Sequence, residues 1–452
     1  MEEKKVLNLE QTMDVLLENK KFSTVRDILT TMNAADIAIY FDDVSEANLI
    51  RLFRLLPKDL AAETFVEMDA GVQEVLIHAF SDSELKAVID ELYVDDAVDI
   101  VEELPANVVK RILKNTDPGM RKMINEILKY PDDSAGSIMT IEYVSLRAGM
   151  TVSEALQRIR KTGIDKETIY TCYVTEENRK LLGLVTAKTL LLSDEDAKIG
   201  DIMETNVIHV HTADDQEAVA IKFNKYGFLA MPVVDDEERL VGIVTVDDAI
   251  DVLTEEATED MEVMAAITPS DKPYLKIGVF ETWKQRIPWL LILMISATFT
   301  GMIITGFENA LKAQLILSAF IPMLMDTAGN SGSQASVTII RGLSLDEIHF
   351  KDIFTILWKE FRVSLLCGVT LGICNFIKML LIDRVNVMIA SVVCITLVIT
   401  VVFAKIVGCS LPILAKKIKF DPAVMASPFI TTIVDALSLL VYFATASILL
   451  GI

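Results

Sequence analysis

Asp435 is the one carboxylate inside a membrane-length apolar run, residues 422–452, and Asp326 lies within another, residues 313–340. An ionised side chain at the centre of such a helix costs about 2.5–3.5 kcal/mol on insertion scales, so it normally faces a bundle interior or a water path. Around Asp326 the chain packs Pro322 and then Gly329-Asn330-Ser331-Gly332-Ser333-Gln334, small and polar residues at membrane depth. Non-helical backbone is tolerated there only where it is buried in protein or lines a wet cavity, so this stretch is expected to interrupt its span. In the last run Thr431, Thr432 and Asp435 share a helical face, with Asp435 ~10 Å beyond Pro428 at helical rise. Carbonyls, hydroxyls, amides and carboxylates are hard oxygen ligands, suited to Mg2+ held largely through its water shell. The chemistry expected of Asp435, Thr431, Asp326 and Asn330 is the passage of a hard cation.

The elements around these residues divide sharply. At 452 residues the chain is too long for one core. Residues 1–286 carry a net charge of −25 and residues 287–452 a net of +2. An acidic soluble body therefore precedes a membrane domain. Its field concentrates cations and repels nucleic acid, which removes nucleic acid from the expected partners. Met1-Glu-Glu-Lys-Lys leads into amphipathic sequence, so no secretory signal is expected. The five cysteines show neither metal-ligand nor disulfide spacing and read as small apolar residues in a reducing compartment.

Residues 1–134 read as an all-α superhelical bundle, with apolar residues recurring at three and four and breaks at Pro57, Gly71, Pro105 and Pro118-Gly119. One helix over 82–104 is expected to carry Asp95, Asp99 and Glu102 on one stripe, a pattern that also fits a solvated polar face. Residues 138–255 repeat: Ser137-Ile-Met139-Thr140 is echoed by Asp201-Ile-Met203-Glu204, and Gly183-Leu-Val-Thr186 by Gly242-Ile-Val-Thr245. Each unit predicts strand, helix, strand, turn, strand, helix. This α/β tandem resembles a pair of CBS domains, here bounded at 135–199 and 200–253. The resemblance implies a regulatory disc that often holds an adenosyl nucleotide such as ATP, with a Thr and an Asp three residues later on the ribose. Thr245 and Asp248 match that pattern, whereas Thr186 is followed by Thr189.

A helix is expected from Val246 to about Pro273, joining disc to membrane, with the connecting segment bounded at 254–285. Asp248, Asp251, Glu255, Glu259 and Glu262 step by three or four along it, and no lysine occurs between Arg239 and Lys272. A solvated connector would intersperse lysine, because like charges four apart weaken a helix. Five all-α spans are then expected within 286–452, at about 287–307, 313–340, 362–381, 385–414 and 426–452. Lys284 and Arg286, then Arg341, Lys351, Lys359 and Arg362, then Lys416, Lys417 and Lys419 all fall on one side of the five spans, whereas the loops on the other side are short and hold few basic residues. The positive-inside rule therefore puts the acidic body in the cytoplasm and the C-terminus outside an inner or plasma membrane.

An acidic bundle, a CBS pair, an acidic connecting helix and five spans with Pro322-Met-Leu-Met-Asp-Thr-Ala-Gly-Asn-Ser-Gly-Ser-Gln334 resemble the MgtE magnesium channels and transporters over essentially the whole chain. The resemblance implies a homodimer in the bilayer, its pore on the dimer axis and lined by spans two and five. It implies that Asp435 holds a largely hydrated Mg2+ and that Thr431 supplies a backbone carbonyl. It further implies a cytosolic Mg2+ sensor made of Glu63, Asp95 and Asp99 in the bundle and Glu217, Asp248 and Asp251 in the second repeat. Glu256, Glu259 and Asp260 in the connecting, or plug, helix and Asp421 below the pore complete it. The sequence departs from the family pattern at Gly227, where some members have a ligand aspartate, at Ser427 in place of asparagine, and at Ala328 in place of glycine.

Other readings use the same residues. Asp326 and Asp435 together suggest an intramembrane aspartic protease, but no Gly-x-Gly-Asp stands in the last span. The CBS pair suggests a nucleotide-gated anion channel, which carboxylates in a pore oppose. Transport of another divalent cation fits the same oxygen ligands. His209 and His211, two apart on a strand, share a face that could hold a transition metal or be plain strand surface.

Overall fold

The computed structural model describes residues 12–451, apart from residues 14, 271, 273, 309–311 and 313 and the side chains of Asp165 and Ser427. Contacts divide the chain into two compact units, Met1–Leu253 and Thr254–Ile452.

The first unit begins with short helices of eight to ten residues, from Phe22–Leu29 to Pro118–Ile127. Side-chain caps start several of them: Asp69 accepts from the Gly71 amide, Ser81 and Glu84 form a reciprocal capping box, and Asp117 accepts from Gly119 ahead of Pro118. Leu29, Leu52, Phe65, Leu76 and Leu85 are fully buried between them. The helix expected over 82–104 is two, Asp82–Ile89 and Val94–Glu103. Leu92 and Val94 are both buried although two residues apart, and one continuous helix would turn them to different sides. The turn at 90–93 lets both enter the core. Asp95, Asp99 and Glu102 remain together on the second helix.

Each repeat of the tandem forms a three-stranded sheet. In the first, β1 (Ser145–Leu146) lies parallel to β2 (Thr171–Thr175), which is antiparallel to β3 (Leu181–Thr186). In the second, β4 (Val210–His211), β5 (Ala230–Val234) and β6 (Leu240–Thr245) repeat the arrangement. The repeated Met and Gly have one cause. The segment entering the first repeat crosses β6, where the Thr140 amide donates to the Ile243 carbonyl at 2.8 Å, while Leu184 of β3 exchanges hydrogen bonds with Glu204. A Cβ on Gly242 would lie 2.8 Å from the Thr140 carbonyl, and one on Gly183 2.6 Å from that of Glu204. Only glycine permits this approach.

The connecting helix spans Val246–Met264, shorter than the helix expected to about residue 273. Residues 265–267 close its end by folding back onto Met261, Glu262 and Val263, with Ala266 in the left-handed region, and Pro269 follows. Residue 273 lies outside the described residues.

Among the described residues the second unit holds five helices of 24 to 31 residues: Val279–Gly306, Ile321–Ser344, Ile353–Leu381, Val387–Lys417 and Ser427–Leu450. Among the described residues, all but the second are long and apolar enough by composition to cross a membrane. The first begins at Val279, eight residues ahead of the span expected from the sequence.

The second is not interrupted. Pro322 sits in its first turn, where a missing amide does no harm, and the helix runs unbroken through Gly329–Gln334. The small residues serve packing instead. A Cβ on Gly408 of the fourth helix would stand 2.3 Å from the Gly332 carbonyl oxygen, and one on Gly332 2.9 Å from Ile430 Cγ2 of the fifth. Ala328 is fully buried with Ala404, Ile430 and Val434. Gly408→Val should therefore drive the second and fourth helices apart. Overpacking typically costs about 1–3 kcal/mol, so the detergent-solubilised protein should melt several degrees lower, as read by thermal size-exclusion chromatography.

Candidate ion-binding sites

In the first unit the helical bundle and the CBS pair enclose an acidic cleft of about 770 Å³. Asp59, Glu63, Glu67, Asp90, Glu91, Asp95 and Asp96 face Glu142, Glu167, Asp247 and Asp248 across it. Among the described residues no lysine or arginine lines this space, and Lys58, paired with Glu91, is a cation at its edge. The electrostatic consequence is large. Burial, and then the charge of Asp248, holds Asp95 well above the usual carboxylate range, and its Oδ1 is buried without a hydrogen-bond donor. Burial pushes Asp96 and Asp248 up to about 6, although a hydrogen bond from Thr245 opposes the shift on Asp248. Glu167 is pushed to about 7, again chiefly by burial. Asp99 is raised by the surrounding protein and by Asp248; its side chain is open to water, which moderates the effect. So many charged carboxylates crowd together only at a cost that a bound cation removes.

Of the sensor residues expected from the sequence, Glu63, Asp95 and Asp248 meet at this cleft, and Asp99 lies within range of Asp248. Glu217 is half-buried in the helix Gln216–Tyr226 and does not line it. That helix ends at Gly227 in the left-handed conformation (φ 66°), a position that favours glycine whatever a relative carries there. Asp251 is exposed one turn beyond Asp248. Thr245 Oγ1 donates to Asp248 Oδ2 at 2.5 Å. The matching pair in the first repeat is Thr186 and Thr189, whose hydroxyls lie 2.9 Å apart.

In the second unit, the end of the connecting helix packs under the membrane helices. Val263 and Met264 lie against Ile340, Ala423 and Ala426. Asp260 Oδ2 accepts from Ser344 Oγ at 2.9 Å. Burial raises the Asp260 carboxyl, the Ser344 hydrogen bond opposes that, and nearby Asp421 raises it again. Asp421 itself caps the turn Pro422–Met425 by accepting from the Ala423 amide at 2.7 Å. Glu256 is half-buried and Glu259 exposed on the same helix.

Asp326, Asn330 and Gln334 recur every four residues and are all exposed, so they form one polar face of the second helix. Gly329 brings that helix against the fifth: a Cβ there would lie 3.0 Å from Thr431 Cγ2 and 4.0 Å from Asp435 Oδ1. Asp435 is half-buried and within electrostatic range of Asp326. The Thr431 and Thr432 hydroxyls donate to the Pro428 carbonyl at 2.9 and 3.0 Å, so they are turned onto their own helix. The Ser336 hydroxyl donates to the Met425 carbonyl at 3.1 Å and ties the second helix to the start of the fifth. Sequence reasoning missed the pairing of buried Lys405 with half-buried Glu360, 3.6 Å apart between the fourth and third helices. A lysine alone within a span was its signal.

Comparison with known proteins agrees with this layout. Residues 321–445 match a family of divalent cation transporters, residues 32–133 the MgtE intracellular N domain, and residues 135–195 and 199–255 CBS domains. The magnesium transporter MgtE of Thermus thermophilus is 35% identical, over 100% of this chain and 99% of that protein. That of Bacillus subtilis is 33% identical over 96% and 95%. A crystal structure of the cytosolic domain of the Mg2+ channel MgtE with ATP covers 54% of this chain and 99% of its own, at 34% identity and TM-score 0.51. The soluble part of a magnesium transporter covers 56% and 99%, at 31% identity and TM-score 0.52. By sequence along its full length and by its cytosolic fold, this chain belongs to the MgtE family of magnesium transporters.

Proposed function

We propose that this protein is a homodimeric Mg2+ channel or transporter of the cell membrane, gated by Mg2+ on its cytoplasmic face. The observation that carries the reading is the placement of Asp435 and Thr431 beside the polar face Asp326-Asn330-Gln334. In this reading a second copy completes the pore, with the second and fifth helices of each chain around the axis. Asp435 holds the hydrated ion by charge, the Thr431 carbonyl accepts from its water shell, and Asp326 and Asn330 line the approach. The C-terminus faces outside. Mg2+ uptake into proteoliposomes tests the transport reading: uptake must depend on the protein and saturate with Mg2+.

The acidic cleft supplies the gate. At low Mg2+ its carboxylates repel one another, and the bundle and CBS pair separate. At high Mg2+ the ions bridge Glu63, Asp95, Asp99 and Asp248, with Glu217 and Asp251 as further ligands. The ions also draw Glu256, Glu259 and Asp260 toward Asp421 below the pore. Each site adds RT ln(1 + [L]/Kd) to the closed state, so several weak sites together give a steep response. Adenine nucleotide, as in the ATP complex of the related cytosolic domain, would use Thr245 and Asp248, which share the hydrogen bond described above.

The gate carries a pH dependence of definite sign. The cleft carboxylates have raised pKa values in the compact form, so that form binds more protons than an open one between roughly pH 4 and 7. Without Mg2+ the compact form therefore gains stability as pH falls through that window and loses it as pH rises. Limited proteolysis of the linker over residues 246–275 in Mg2+-free buffer should slow as pH drops from 7.5 to 5.5. With saturating Mg2+ the rate should be nearly flat. A Mg2+-free rate independent of pH would contradict the cleft's role.

A further inference from the structure

We propose a transition-metal site on the second CBS repeat, formed by His209, His211 and Glu238 and taking Zn2+ or a similar borderline ion. Two of the chain's four histidines converge on one carboxylate. His209 Nε2 lies 3.3 Å from Glu238 Oε2, and His211 Nε2 lies 3.6 Å from Oε1. One ligand atom from each of the three residues falls within 4.8 Å of the others. These separations exceed those of charge-assisted hydrogen bonds, about 2.7–2.9 Å. They match the spacing of about 3.3 Å between neighbouring ligand atoms that tetrahedral Zn2+ bonds of about 2.0–2.1 Å require.

The surroundings prepare the ligands. His209 Nδ1 lies 3.1 Å from the Val207 carbonyl. A proton on that nitrogen donates to the carbonyl and leaves the Nε2 lone pair free, the arrangement in which imidazole binds metal. Glu238 occupies the turn between β5 and β6 in the left-handed conformation (φ 62°), which Arg179 shares in the first repeat (φ 69°), so the turn presents a side chain at the same place in both repeats. The first repeat is an internal control. In register, Ser145, Arg147 and Arg179 occupy the positions of His209, His211 and Glu238, and that set cannot hold a cation. The ligands therefore belong to this repeat and not to the fold.

Bound metal would clamp β4 to the β5–β6 turn, whose tip pairs with the turn of the first repeat through Leu181 N to Glu238 O at 3.1 Å and Leu240 N to Arg179 O at 2.9 Å. The ion would stiffen the junction between the two CBS repeats. Imidazole separates this site from the all-oxygen carboxylate clusters, because it favours Zn2+, Ni2+ or Cu2+ over Mg2+.

The test is Zn2+ titration of the untagged full-length protein in detergent against a chromophoric chelator, with Mg2+ in large excess to mask the carboxylates. One Zn2+ per chain is expected. Loss of an outer-shell partner alone weakens metal sites about 10–100-fold, so the double variant His209→Ala/His211→Ala should bind Zn2+ at least about 100-fold more weakly. Glu238→Gln keeps both imidazoles and should weaken binding by a smaller factor. X-ray absorption of the Zn2+-loaded protein should show two imidazoles in the first shell. Zn2+ binding unchanged in the double variant, its elimination by excess Mg2+, or a shell of oxygens alone would overturn the proposal. None of these outcomes bears on Mg2+ uptake, so the site and the transport reading stand or fall separately.

Discussion

Asp435→Ala is expected to abolish Mg2+ uptake while the protein still folds and assembles. The side chain is the one carboxylate of the fifth helix, and Gly329 holds the second helix close against it. Removing it takes away the ion's charge partner but leaves the Gly332–Gly408 contact and the Ser336–Met425 hydrogen bond intact. Asp435→Asn keeps the shape and loses the charge, so it should be nearly inactive. Asp435→Glu keeps the charge on a longer arm and should retain partial uptake with relaxed selectivity. A Mg2+-requiring strain complemented by the alanine variant to normal growth would remove Asp435 from the pore. The anion-channel and protease readings give different outcomes, a chloride current and peptide cleavage respectively.

The second large effect is expected at the sensor. Asp99→Ala deletes a ligand from the closed form, so the variant should remain open at Mg2+ concentrations that close the wild type. Asp99 is the cleaner choice. Asp248 also accepts from Thr245, so its replacement disturbs the start of the connecting helix as well as the cleft. Protection of residues 246–275 from protease should require more Mg2+ in Asp99→Ala than in the wild type. If the protection midpoint and the current–Mg2+ curve both stay in place, the acid at Asp99 is only a solvated surface.

Much of this arrangement was legible because it is periodic or repeated. The acidic stripe of Asp95 and Asp99, the paired Gly183 and Gly242 strands and the apolar runs of the membrane helices follow from local spacing. The break at residues 90–93 was also legible in principle, since Leu92 and Val94 violate helical rhythm. The Gly329–Gln334 stretch misled for a physical reason. Glycine and serine mark both broken helices and tightly packed ones, and only the position of Gly408 against Gly332 decides between them. Similarly, nothing local joins Glu238 to His209, or Glu360 to Lys405; tertiary structure makes those pairs.

The connecting helix shows how far a charge pattern can be taken. Its acidic face brings Asp260 within electrostatic range of Asp421. Along the same helix Ala249 and Val252 are buried whereas Ile250 and Met261 are more than half exposed.

The most direct measurement is Mg2+ current in excised patches as Mg2+ is raised on the cytoplasmic face, for the wild type, Asp99→Ala and Asp435→Ala. The account predicts a wild-type current that closes steeply with rising Mg2+, a closure displaced to higher Mg2+ in Asp99→Ala, and no current in Asp435→Ala. A wild-type current indifferent to cytoplasmic Mg2+, together with an Asp435→Ala current equal to it, would contradict both the gate and the pore.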